Sequence, residues 1–129
     1  MMMYREPSDS PWGIVVRCDT LCPGVYSVST AGHGGIMVQT DAARRLLSPE
    51  ARAVGFLAGG YLNFEEDCDA PVVLRELMDS GIIAPRTDNY FRPGEYEACI
   101  DRSLQRWNPD YWQARFSVRE SKMAKERER

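Results

Sequence analysis

The chain opens its ordered part with a short β-branched run. Pro11-Trp12-Gly13 leads into Ile14-Val15-Val16, which predicts a strand of about five residues ending at Asp19-Thr20. Cys22-Pro23-Gly24 is turn chemistry, since proline presets one backbone angle and glycine permits a positive one. Val25-Tyr26-Ser27-Val28-Ser29-Thr30 then alternates at the period of a half-buried strand, with Val25, Ser27 and Ser29 on one face and Tyr26, Val28 and Thr30 on the other. Ala31 to Gly35 is a glycine-rich connection, and Ile36-Met37-Val38-Gln39 is a further short strand. Residues 25–30 and 36–39 are therefore expected to be neighbours in a sheet, joined through a hairpin or bulged corner.

After Gln39 the period changes to that of helices. Thr40 or Asp41 is placed to cap a helix from Ala42, with Ala43, Leu46 and Leu47 on its apolar face and Arg44 and Arg45 toward water. Ser48-Pro49-Glu50 reads as a second start, with serine as cap and proline at the first helical position. Ala53, Val54, Leu57 and Ala58 continue it as an apolar stripe until Gly59-Gly60. Tyr61-Leu62-Asn63-Phe64 leads into the acidic run Glu65-Glu66-Asp67-Cys68-Asp69. Asp69 is expected to cap a helix over about residues 70–80, with Pro71 in its first turn and Val73, Leu74, Leu77 and Met78 buried. Gly81 ends it, residues 82–85 are extended and residues 86–93 form a loop. Residues 94–107 predict a helix with Tyr96, Cys99, Ile100, Leu104 and Trp107 inward. Asn108-Pro109 breaks it and is expected to cap a last helix, which frays beyond Ser121.

The elements add up to an α+β fold, a small antiparallel sheet with packed helices and a C-terminal helical extension. A length of 129 residues fits a single domain over 1–129, with a core at 10–92 and the extension at 93–129. Residues 1–10 are polar and are expected to form a loose arm. No apolar run approaches the roughly 18 residues of a membrane span, and the first residues hold no apolar segment suited to export, so a cytoplasmic location is expected.

Charge sharpens this picture. Residues 1–100 carry eight arginines against fourteen carboxylates, and residues 101–129 carry eight basic against five acidic residues. An acidic body does not suit phosphate backbones, and the basic tail is interrupted by acids, so direct nucleic-acid binding is not expected. Cys18, Cys22, Cys68 and Cys99 read as free thiols. The Cys18/Cys22 spacing fits a zinc knuckle, but no second close pair accompanies it, and no metal or cofactor is expected.

His33, the chain's one histidine, sits among glycines and could act as a general base or metal ligand; the plainer reading is a tight corner. The string is similar to the His-Gly-Gly oxyanion loop of esterases, but the Gly-x-Ser-x-Gly elbow is missing. Cys68, next to a helix start, could pair with His33 as a nucleophile. Glu65, Glu66, Asp67 and Asp69 around it oppose a thiolate. Those carboxylates could also hold a hard cation, although their spacing is not that of an EF-hand, or could mimic nucleic acid toward a basic surface.

Ser10-Pro11-Trp12-Gly13, Ser27 to Gly35 with its His-Gly-Gly, and Phe64-Glu65-Glu66-Asp67-Cys68-Asp69 before an apolar helix together resemble a family of small uncharacterised proteins of phages, conjugative plasmids and other mobile elements. The family pattern is Ser/Thr-Pro-x-His-Gly-Gly followed by Tyr-Glu-Glu-Asp-Cys, and it covers residues 10–80. Ala31 stands here where proline is usual, and Phe64 where tyrosine is usual, so any scheme needing that phenol is lost. The resemblance implies a mobile-element origin and no established activity.

The functional expectation is a non-enzymatic accessory protein that binds a host protein or nucleoprotein complex, as an anti-CRISPR or antirestriction inhibitor of host defence does. Its expected contacts are Glu65, Glu66, Asp67 and Asp69 together with Trp107, Tyr111 and Trp112. The alternative is a small hydrolytic enzyme using His33 with Glu65, Glu66, Asp67 or Cys68, in which His33, Glu66 and Cys68 would be catalytic.

Overall fold

The computed structural model describes residues 4–127, and Met1 to Met3 of the expected arm lie outside them. The chain runs through β1 (Asp9–Ser10), β2 (Gly13–Ile14), β3 (Arg17–Cys22), β4 (Val25–Ser29) and β5 (Gly34–Gln39), then α1 (Thr40–Leu46) and α2 (Pro49–Val54). It continues with β6 (Phe56–Ala58), β7 (Tyr61–Glu65), α3 (Ala70–Asp79), α4 (Glu95–Trp107) and α5 (Pro109–Arg127). β3 to β7 form an antiparallel sheet in the order β3-β4-β5-β7-β6, and β1 pairs with β2 in a small separate hairpin. The architecture is α+β.

β4 and β5 are the expected neighbours, paired from Val25↔Val38 to Ser29↔Gly34 around the glycine corner. Their alternation sends Val25, Ile36 and Val38 to one side, where they join Leu62 and Phe64 of β7 and the helix residues Ala43, Leu47, Val73, Leu77 and Leu104 in the main core. The opposite side presents Tyr26, Val28 and Met37, covered by Tyr4, Trp12 and Val15 of the N-terminal segment.

That cover corrects the expectation of a loose arm. Tyr4 Oη donates to Asp41 Oδ2 at 2.6 Å and accepts from Arg45, Thr20 Oγ1 donates to Glu6 at 2.7 Å, and Val15 N–H donates to the Ser8 carbonyl. Apolar content in 14–16 also did not make the first long strand. Ile14 and Val16 are exposed, while the polar Arg17–Cys22 segment takes the sheet edge, where one ladder and open solvent suit polar residues. A register shift between Thr20 and Cys22 sends Cys18 to the small cluster and Cys22 to the main core, so the two thiols of the knuckle spacing occupy opposite faces.

The stripe at 53–58 is not one helix. α2 ends at Gly55, where a β-carbon would crowd Leu62 and the Phe64 ring, and Phe56–Ala58 becomes an edge strand with Leu57 exposed. Gly59-Gly60 makes the hairpin turn to β7, so Tyr61 to Phe64 is a strand inside the sheet. Ser48 does cap α2, its hydroxyl accepting from the Ala51 N–H at 3.1 Å, with Pro49 at the first position. α1 begins at Thr40 with Gln39 before it, and neither Thr40 nor Asp41 caps it through a side chain.

The C-terminal helices pack on the body through charge as much as through apolar contact. Buried Arg75 of α3 bonds Glu97 and Asp101 of α4 at 2.6 and 2.8 Å. Asp79 of α3 receives Arg115 and Arg119 of α5. Only Ile100 and Leu104 of α4 are buried; Cys99 is exposed and Trp107 is 52% exposed, because a helix covered along one narrow stripe leaves its flanking positions in water.

Candidate functional site

The glycine corner is built by Thr30. Its N–H donates to the His33 carbonyl at 2.8 Å, its hydroxyl donates to the same oxygen at 2.6 Å, and the His33 N–H donates back to that hydroxyl. This closes a tight loop and leaves His33 exposed at its tip. Gly34 and Gly35 are needed for close approach. A β-carbon on Gly34 would overlap the Val28 carbonyl and reach 2.9 Å from Glu66 Oε2. One on Gly35 would overlap the Phe64 carbonyl and the Trp12 ring.

The acidic run adjoins this corner. Gly35 is paired with Glu65, and the Glu66 N–H donates to the Gly34 carbonyl at 3.1 Å, so the run continues the β5–β7 ladder before turning into α3. Glu66 and Asp67 are exposed, while Glu65, Cys68 and Asp69 are half-buried. The structure thus brings Glu66 beside the loop that carries His33. Among the described residues, no hydrogen bond joins the His33 ring to Glu66 or Cys68.

Cys68 is set against reactivity. Its burial pushes the thiol above its ordinary value, and Asp69 and Glu65 push the same way. The thiol faces Glu65 Oε2 at 4.0 Å. Asp69 precedes α3 but makes no side-chain cap. Its Oδ1 is instead engaged by Asn108.

Asn108 joins the two halves of the expected surface, a role that the sequence did not disclose. From the break between α4 and α5, its side-chain amide donates to the Cys68 carbonyl at 2.7 Å and to Asp69 Oδ1 at 3.2 Å. The acidic turn and the half-exposed Trp107 are thereby fixed side by side. Between them and α2 lies an open cleft of about 480 Å³. Glu50, Asp69 and Asp110 supply its charge, Ala53, Val54 and Trp107 its apolar wall, and no basic side chain lines it. Arg106 stacks over Trp107 at 4.8 Å from the ring centroid.

The other two aromatics divide. Tyr111 is 4% exposed and belongs to the body; its hydroxyl donates to Glu76 Oε2 at 2.7 Å, while Glu76 Oε1 accepts the Ser48 N–H at 2.6 Å. Burial, with Glu76 next, drives its phenol far above the ordinary tyrosine range. Trp112 is half-buried under Arg115. No group of three or more metal-ligating side chains converges among the described residues. No described helix is long and apolar enough to cross a membrane.

Neither a curated protein nor a solved structure matches this chain. A family match, however, runs over residues 5–129. The chain therefore belongs to the family described as a domain of unknown function, DUF7007.

Proposed function

We propose that the protein is a non-enzymatic binding module that engages a basic surface of a protein partner through the acidic turn and the Trp107 corner. The observation that carries this reading is the Asn108 junction, whose amide bonds the Cys68 carbonyl and Asp69 Oδ1 and so ties the acidic turn to the corner that carries half-exposed Trp107. Fixed carboxylates raise the on-rate for a cationic partner and make it salt-sensitive. A large aromatic held beside them supplies contact area at little entropic cost, the usual property of an interface anchor. The same charge repels a phosphate backbone, which favours a protein or nucleoprotein over free nucleic acid. The motif resemblance extends the proposal to an accessory protein of a phage or plasmid acting on a host defence complex.

A second reading, a small hydrolase, draws on one observation, the Glu66 carboxylate against Gly34 beside His33. One experiment separates the two. The tagged chain and its variants are used to capture partners from a bacterial host extract at low and high salt. Lysine in place of Glu65, Glu66 and Asp67, or Trp107→Ala, should abolish capture, while His33→Ala leaves it intact. Loss with His33→Ala and tolerance of the charge reversal would move the assignment to the hydrolase.

A further inference from the structure

α5 carries two stripes with different tasks. One faces the body, where Tyr111 bonds Glu76 and Arg115 bonds Asp79. The other consists of Asp110, Ala114, Ser117, Ser121 and Lys125, with Val118 on its flank. At helical spacing these five positions fall within an arc of about 80°. Val118 is 51% exposed, and every position of the stripe except Ala114 is exposed.

The stripe is polar in the electrical sense. Its first end holds Asp110, beside Glu50 and Asp69 in the acidic cleft. Its last end holds Lys125, while Lys122, the chain's other lysine, lies about 60° outside the arc, toward Tyr111 and Arg115. Among the described residues, neither lysine takes part in an ion pair. Between the ends lie small side chains, which let two backbones come close.

We propose that this stripe pairs antiparallel with the same stripe of a second copy of the chain, about a two-fold axis at Ser117 and Val118. The register follows from the spacing. Setting Ser117 opposite Val118 places Ala114 opposite Ser121 and Asp110 opposite Lys125, each contact occurring twice, as an isologous interface requires. The acidic end of one helix meets the lysine end of the other, and the antiparallel arrangement also opposes the two helix dipoles favourably. This contact goes beyond the partner reading: it uses the length of α5 and meets the surface of that reading only at its Asp110 end, which lines the cleft beside Trp107.

The test is sedimentation equilibrium of the full chain over a range of concentration, in low and in high salt. At low salt a species of twice the 14.7 kDa chain mass is expected, weakening as salt rises. Asp110→Lys alone and Lys125→Asp alone should each weaken the dimer about tenfold, because two symmetric pairs turn repulsive at once. Combining them should restore it, which an effect on helix stability alone would not do. Circular dichroism confirms that each variant is folded. Phe116→Ser with Met123→Ser, on another side of the helix, should leave the dimer unchanged. A chain that is monomeric at every concentration and salt overturns the proposal. A dimer indifferent to both reversals, or lost in the Phe116/Met123 variant, overturns it as well.

Discussion

The two faces of the main sheet are covered by different kinds of material. On one face, Val25, Ile36, Val38, Leu62 and Phe64 meet helices that bring aliphatic side chains such as Val73, Leu77 and Leu104, each fully buried. On the other, Tyr26, Val28 and Met37 are closed by an irregular segment reaching only from Tyr4 to Val15. The first cover is regular structure that satisfies its own backbone. The second has a two-residue ladder of its own and is held mainly by side chains: Tyr4 on Asp41, Glu6 on Thr20, Trp12 on Gly35. The comparison shows how a short chain seals a sheet on both sides. The helical face carries the stability, and the strap excludes water from the reverse at a smaller gain.

The largest effect should come from the helical face. Leu77→Ala removes a fully buried side chain of α3 from the main core, and is expected to cost about 3–4 kcal/mol by lost transfer energy and a cavity. Urea denaturation measures it directly. A loss below 1 kcal/mol, about what a surface change costs, would mean that the helical cover is not the stabilising one.

Gly35→Ala strikes the joint between sheet and strap. The added carbon would overlap both the Phe64 carbonyl and the Trp12 ring, so either the β5–β7 ladder opens or Trp12 moves off. The expected cost is about 1–3 kcal/mol, as for other overpacked sites. Pairing it with Trp12→Ala in a double-mutant cycle sharpens the comparison. Rescue by Trp12→Ala would place the strain in the strap, and absence of rescue would place it in the ladder.

How much of this was legible differs between regions for physical reasons. β4 and β5 could be read because their apolar positions alternate and turn glycines separate them. β6 could not, because Leu57 and Ala58 continue the helical spacing of Ala53 and Val54, and only the crowding at Gly55 marks the break. The strap could not be read as a cover, since its anchors on Asp41, Thr20 and Gly35 are tertiary and its first half, up to Ser10, is polar. At the candidate site, the acidic turn stood out in the sequence. The residue that joins it to Trp107 did not, since Asn108 before proline carries the ordinary signature of a helix break. Tyr111 and Trp107 lie in one short aromatic run, yet the first is core and the second surface, a division set by which side of α4–α5 meets Glu76.

Acid should act on the helical cover. Burial alone would raise the Asp79 carboxyl, but the hydrogen bonds from Arg115 and the charges of Arg115, Arg75 and Arg119 outweigh it and hold the group below its ordinary value of 3.8. A folded value below the unfolded one gives stability that is fully present above pH 3.8 and is lost as pH falls through the folded value. Asp79→Asn should cost about 1–2 kcal/mol at pH 7, the worth of charge-assisted bonds to a half-buried carboxylate. The difference between the two proteins should close in stronger acid, as read by thermal melts across pH 2 to 7 (about the range a carboxylate spans). A constant difference at all pH values would mean that Asp79 acts through packing rather than charge.

The smallest effect belongs to Tyr4→Phe, and it tests the strap alone. The phenol donates to Asp41 and accepts from Arg45, both on α1, while the ring lies against Gly24 in the turn between β3 and β4. Phenylalanine keeps the ring and loses both bonds. Global stability should therefore barely change, because the ring packing and the helical core are untouched. Local opening should rise, since this is the side-chain tie at the beginning of the segment. The amide of Val15, bonded to the Ser8 carbonyl within the strap, should exchange several-fold faster, while amides of β5, at the centre of the sheet, should not respond. Equal acceleration in β5 would show that the strap and the sheet open as one unit. That result would break the comparison, because the two covers would then be parts of a single cooperative structure rather than a stable face and a lightly tethered one.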